Sequence, residues 1–158
     1  MKPSGTIEAR LKELNITLPP PHRFPNPNRT GCIAVGKLLF VSGHPPAAGL
    51  GAPVSGKVPA EVSQGDAYRS ARAAALNILS SIRESVGSLD LVKRVVKVFG
   101  MVNSSQGFEQ QFAVIDGASD LFVEIWGPEL GQHARSAVGM FELPRRITVE
   151  IEGVFELE

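Results

Sequence analysis

The residue with the clearest chemical potential is Arg135, set in the run Ala134-Arg135-Ser136-Ala137 with Gly139 close behind. Its small neighbours give the charge little local cover and leave room beside it. The planar fork of N–H donors suits a small anion such as a carboxylate better than a lysine would. Fifteen residues on, Glu150 lies in Ile147-Thr148-Val149-Glu150-Ile151-Glu152, where a carboxylate could orient or deprotonate a water. Apolar residues at 147, 149, 151 and 155 alternate with Thr148, Glu150, Glu152 and Glu156, which predicts a strand with one core face and one carboxylate face. Leu143-Pro144-Arg145-Arg146 reads as a turn, so residues 131–155 are expected to form two strands joined tightly. Given an even loop count, Arg135 and Glu150 then share a face, and a one-residue slip separates them.

Other polar candidates are less specific. Ser42-Gly43-His44 follows an apolar run and marks a strand end, where a hydroxyl and a bare backbone can meet a ligand; an ordinary strand terminator reads the same way. His44 could hydrogen-bond or titrate near neutrality, and His133 stands two residues before Arg135, yet either histidine alone reads more readily as a packed or polar surface residue. No spacing of His, Cys, Asp and Glu suggests a metal, and the glycines form neither GxGxxG nor a phosphate loop, so no metal and no nucleotide cofactor are expected.

The elements that must position these residues follow from periodicity. Ile7, Leu11 and Leu14 predict a short amphipathic helix behind Thr6, ended by Pro19-Pro20-Pro21. Residues 31–35 and 38–42 predict a hairpin turning at Gly36-Lys37, its continuous apolar character pointing to strands deep in a sheet. Residues 45–58, rich in Gly, Pro and Ala, are expected to be a surface excursion. Ala67, Ala71, Ala74, Ile78 and Ile82 form one stripe of a long helix over 61–87, with Gly87 as its stop. Residues 91–102 read as a strand and 108–126 as a second long helix, halted by Gly127-Pro128. The order β-β-α-β-α-β-β predicts an α+β fold, a mixed sheet with two helices on one face. The other face has no helix to cover it, and packing against further copies is the economical solution. A first segment (1–30), made of the short helix and an extended Pro-rich stretch, would precede one domain (31–158).

Composition narrows the function. The 158 residues carry 16 basic and 16 acidic side chains, net zero, so no global field draws the protein to nucleic acid or an anionic membrane. The lone Cys32 cannot make an internal disulfide and is expected to be a small buried hydrophobe. With no secretory pattern at the start and no apolar run near 20 residues, a cytoplasmic location is expected.

Ala134-Arg135-Ser136, Leu143-Pro144 and Val149-Glu150-Ile151-Glu152, with Val41-Ser42-Gly43 upstream, together resemble the signature of the Rid (YjgF-like) family of enamine/imine deaminases, often labelled endoribonuclease L-PSP. The resemblance runs from Gly31 onward, and residues 6–21 resemble the extension of a longer subgroup. It implies a chorismate-mutase-like fold and a homotrimer with sites between subunits, so that Arg135 and Glu150 would meet across an interface. It also implies a cofactor-free hydrolase in which Arg135 holds a substrate carboxylate and Glu150 directs water, with Ser42, Gly43 and His44 lining the site. Three positions depart from that signature. The tyrosine of deaminating members is absent, with Phe24-Pro25 nearest; Ala137 stands where they often have cysteine; Asp116 stands at an asparagine position, where a carboxylate would repel an anion. These departures favour a second reading, a trimeric binder of small molecules without turnover. Endoribonuclease action, a third, is disfavoured by the neutral charge.

Overall fold

A computed structural model of the chain describes residues 6–158. Its frame is a pair of long helices, α2 (Gln64–Val86) and α3 (Gln111–Gly131). Ser63 caps α2 by accepting from the Asp66 N–H at 3.1 Å, and Gly87 ends it at φ 91°, donating to the Arg83 carbonyl; that left-handed conformation favours glycine. The expected stripe from Ala67 to Ile82 is buried throughout. Its alanines let α3 come close. A Cβ at Gly117 of α3 would lie 2.0 Å from the Tyr68 carbonyl oxygen, so this crossing requires glycine. Regular α3 geometry breaks at Gly127, φ 76° and ψ 171°, just before Pro128, where the sequence places the stop.

Among the described residues five strands form one sheet: β1 (Cys32–Val35), β2 (Leu38–His44), β3 (Val92–Asn103), β4 (Ala134–Met140) and β5 (Val149–Leu157). Their spatial order is β1-β2-β5-β3-β4, with β3 and β4 parallel and the other pairs antiparallel. Val149, Ile151 and Phe155 of β5 face the helices and are fully buried with Val95, Val98, Phe122 and Trp126. The architecture is the expected α+β layer with both long helices on one face. Among the described residues no helix covers the opposite face, leaving Ile33 58% and Phe40 46% exposed; a smaller cluster there joins Met101, Leu143 and Ile147 to Phe99, Val138 and Met140.

Three expectations change. β4 and β5 are not a hairpin, because β3 lies between them. The β3-α3-β4 crossover returns the chain in the direction of β3, so β4 pairs with it in parallel. The link to β5 is a wide one, with Arg145 and Arg146 at φ 55° and 56°. β1 is an edge strand, not a deep one; its Ile33 and Val35 lie exposed, while Cys32 joins the main core. Finally, the 45–58 excursion is laced down in its second half. Thr148 donates to the Val54 carbonyl, Gly56 to Arg146 and Val58 to Asn103, and Val58 is fully buried.

The segment α1 (Ile7–Glu13), with Leu11 buried, docks on α3 and on the turn Leu89–Leu91 that precedes β3. The Glu8 carboxylate accepts from Arg83 Nε and Nη2 and from the Leu89 N–H. Among the described residues, no helix is long and apolar enough to cross a membrane. Cys32 is buried and free, its thiol pushed up to about 11 by burial, which suppresses thiolate chemistry.

Candidate functional site

Arg135 enters from β4 and is held by α3. Its register partner Val98 is a helix-facing core residue, so the guanidinium points toward the helix layer. There Nη1 donates to Asp116 Oδ1 at 2.7 Å and Ser119 Oγ at 3.0 Å, and Nη2 donates to the Phe112 carbonyl at 3.4 Å. These contacts commit three of the five N–H groups an arginine carries. Asp116 and Ser119 are three residues apart on α3 and so share a helix face. His133, two residues before Arg135, bonds Ser119 Oγ through Nε2 at 3.0 Å and the Gly131 carbonyl through Nδ1 at 2.6 Å. Burial, and after it the Arg135 charge, holds His133 below the usual histidine range, although its bond to Gly131 opposes this. Ala137 follows Arg135 on the same strand face and packs against the main core.

A second group gathers where β2 meets β5. The Glu150 side chain lies over Gly43, so close that a Cβ there would sit 2.9 Å from its Cδ and Oε1. Half-buried, Glu150 is held above the ordinary carboxylate range, first by desolvation and then by the Glu152 charge. Ser42 donates its hydroxyl to the Thr30 carbonyl at 2.6 Å. It also lines an open hollow of about 470 Å³ with Phe40, Lys97 and Glu152, on the uncovered face and away from Arg135. His44 turns the other way. It is fully buried, its Nδ1 bonding the Ser42 carbonyl at 2.6 Å and its Nε2 bonding Ser81 Oγ of α2 at 2.8 Å. His22 and Phe24 pack against its ring, with centroids 5.6 and 5.4 Å away. Burial lowers its pKa to about 4, so it is neutral near pH 7.

One chain therefore brings Arg135, Asp116 and Ala137 together, and separately Glu150, Ser42 and Gly43. It does not join the two groups. Glu150 pairs with Met101, which points to the uncovered face, whereas Arg135 pairs with helix-facing Val98. The same-face expectation from a hairpin is thus corrected: with β3 intervening, the parity of each strand is set against β3 and not across a shared turn. Ser119 was missed by sequence reasoning and His133 was noted without a role. The available signals were the three-residue spacing of Ser119 from Asp116 on a helix and the two-residue spacing of His133 from Arg135 on a strand. No group of three or more His, Cys, Asp or Glu able to hold a metal occurs among the described residues.

Comparison with known proteins gives a consistent set of similarities. Residues 25–146 match the model of the YjgF/chorismate-mutase-like family, whose description adds endoribonuclease as a provisional label. Protein TCP17 of Trypanosoma cruzi is 40% identical over 154 residues, covering 98% of this chain and 96% of that one. A solved protein of unknown function from Agrobacterium tumefaciens is 39% identical with a TM-score of 0.85, covering 96% of this chain and 92% of its own. A Shewanella oneidensis structure, provisionally named an endoribonuclease, is 28% identical with a TM-score of 0.88, covering 97% and 100%.

Proposed function

Because the chain belongs to the YjgF/chorismate-mutase-like family, we propose that it is a cofactor-free hydrolase of small enamines and imines of the 2-aminoacrylate type, releasing a 2-keto acid and ammonia. The observation that carries this reading is the state of Arg135: three N–H groups are tied to α3 and two remain for a ligand carboxylate or carbonyl. Glu150 supplies the complementary group, a half-buried carboxylate with a raised proton affinity suited to exchanging protons with water. An enamine first takes a proton from solvent at carbon to become the iminium. Water then gives a proton to Glu150 as its oxygen bonds the C=N carbon, forming a neutral carbinolamine. Glu150 returns that proton to nitrogen, then takes the hydroxyl proton as the C–N bond breaks, so ammonia leaves, the ketone forms and Glu150 gives its last proton back to solvent.

Since Arg135 and Glu150 face opposite sides of one sheet, the working site in this proposal lies between copies in a homotrimer, with the apolar uncovered faces packed together. Adding purified protein to freshly generated 2-iminobutyrate should accelerate its decay, and Arg135→Ala and Glu150→Gln should each abolish most of the gain. Unchanged decay with the wild type, under conditions where a known deaminase is active, would overturn the reading.

A second reading, binding without turnover, is favoured by the 2.7 Å Arg135–Asp116 pair, which offsets the charge that would grip an anion. Calorimetric binding of 2-oxobutyrate or a neutral analogue without imine acceleration would establish it. Endoribonuclease action is disfavoured by the net charge of zero; RNA cleavage that survives repurification and vanishes in Arg135→Ala would restore it.

A further inference from the structure

We propose that Ser119 and His133 are positioning residues for Arg135, forming a one-way relay of hydrogen bonds that fixes the guanidinium plane before any ligand arrives. The inference rests on the reading that Arg135 contacts the ligand, and goes beyond it by naming what aims the fork.

The polarity of each link follows from the one before. A carbonyl only accepts, so at 2.6 Å from the Gly131 oxygen the His133 Nδ1 must carry the proton. In the neutral ring Nε2 then presents a lone pair, and the Ser119 hydroxyl donates to it at 3.0 Å. With its proton spent there, Ser119 Oγ offers lone pairs, one of which accepts from Arg135 Nη1 at 3.0 Å. The Phe122 ring meets His133 edge to face at 5.9 Å and limits its swing.

Asp116 alone cannot do this. A single contact from Nη1 to one carboxylate oxygen lets the guanidinium pivot about that bond, whereas a second acceptor on the same nitrogen and the Phe112 carbonyl on Nη2 define a plane. Ser119 keeps a place on α3 one turn beyond Asp116, and His133 precedes β4. The relay therefore clamps strand to helix at the point where the two remaining N–H groups must be aimed. Holding them in place spares the ligand the cost of ordering a long side chain.

The test uses the full chain labelled with ¹⁵N at arginine and histidine, with Ser119→Ala, Ser119→Thr and His133→Phe variants. In the wild type, His133 should be protonated at Nδ1 and not at Nε2. The Arg135 Nη signals, assigned by their loss in Arg135→Lys, should be separate and slowly exchanging. Ser119→Ala and His133→Phe should merge them and Ser119→Thr should restore them. KM for 2-iminobutyrate, or Kd for 2-oxobutyrate, should rise about three- to tenfold in Ser119→Ala, the cost of ordering one flexible side chain on binding. kcat should change less than about twofold, because Ser119 touches no reacting atom. Protonation at Nε2 in the wild type, or Ser119→Ala that leaves both the Arg135 signals and the ligand constants unchanged, would overturn the relay. Should the wild type neither bind 2-oxobutyrate nor speed imine decay, the functional reading fails while the ¹⁵N signals still decide the relay.

Discussion

Replacing Asp116 with asparagine removes one negative charge beside Arg135 while keeping an oxygen able to accept from Nη1 at 2.7 Å. A ligand carboxylate seated on the remaining N–H groups would lie roughly 6 Å from the Asp116 carboxylate across the guanidinium. Repulsion at that range is about 0.7 kcal/mol in bulk water and about 2.8 kcal/mol at the lower effective dielectric of a protein surface. With the Asp116 side chain 43% exposed, the value belongs nearer the water limit, at about 1 kcal/mol, or a five- to tenfold gain on removal. Calorimetry with 2-oxobutyrate and kcat/KM for 2-iminobutyrate should both show that gain at about 10 mM ionic strength, where charges act over ~30 Å. The gain should shrink at high salt, and a neutral analogue should bind as before. If Asp116→Asn leaves keto-acid binding and imine turnover unchanged at low salt, the electrostatic reasoning is wrong.

Gly43→Ala places a methyl 2.9 Å from the Glu150 carboxyl carbon. The far end of a flexible side chain can move, so imine kcat/KM should fall about tenfold or more while the melting temperature shifts by only a few degrees. Gly117→Ala has no such escape, since backbone atoms of α2 oppose the new methyl; urea denaturation should show a loss of about 3 kcal/mol or more. His44, buried and neutral, has a folded pKa of about 4 against the ordinary 6.5. The stability it confers is complete above pH 6.5 and is lost as pH falls toward 4, by about 3 kcal/mol in all. Urea midpoints measured across that window should fall less steeply in His44→Gln.

Much of the architecture is local and was readable from residue order. The stripe from Ala67 to Ile82 and the alternation from Val149 to Phe155 repeat at helix and strand periods because each element must bury one face. Gly87 and Gly127 stop their helices through backbone conformations that favour glycine, and the Gly36 turn of the first hairpin lies where expected. The Arg135 and Glu150 motifs named the family from side-chain identity and spacing alone. Their relation in space was a different matter. Which strands become neighbours depends on contacts far apart in sequence, and the insertion of β3 between β4 and β5 uncoupled the faces of the two residues, since strand parity is inherited from the neighbour. Likewise, His44 looked like a ligand contact at a strand end until α2 supplied Ser81 and sealed it in the core. Ser119 and His133 acquire a common partner only when α3 lies across β4. Periodicity is a property of one element, so the sequence states it directly. Register and facing belong to pairs of elements, and only the packed sheet and helices decide them.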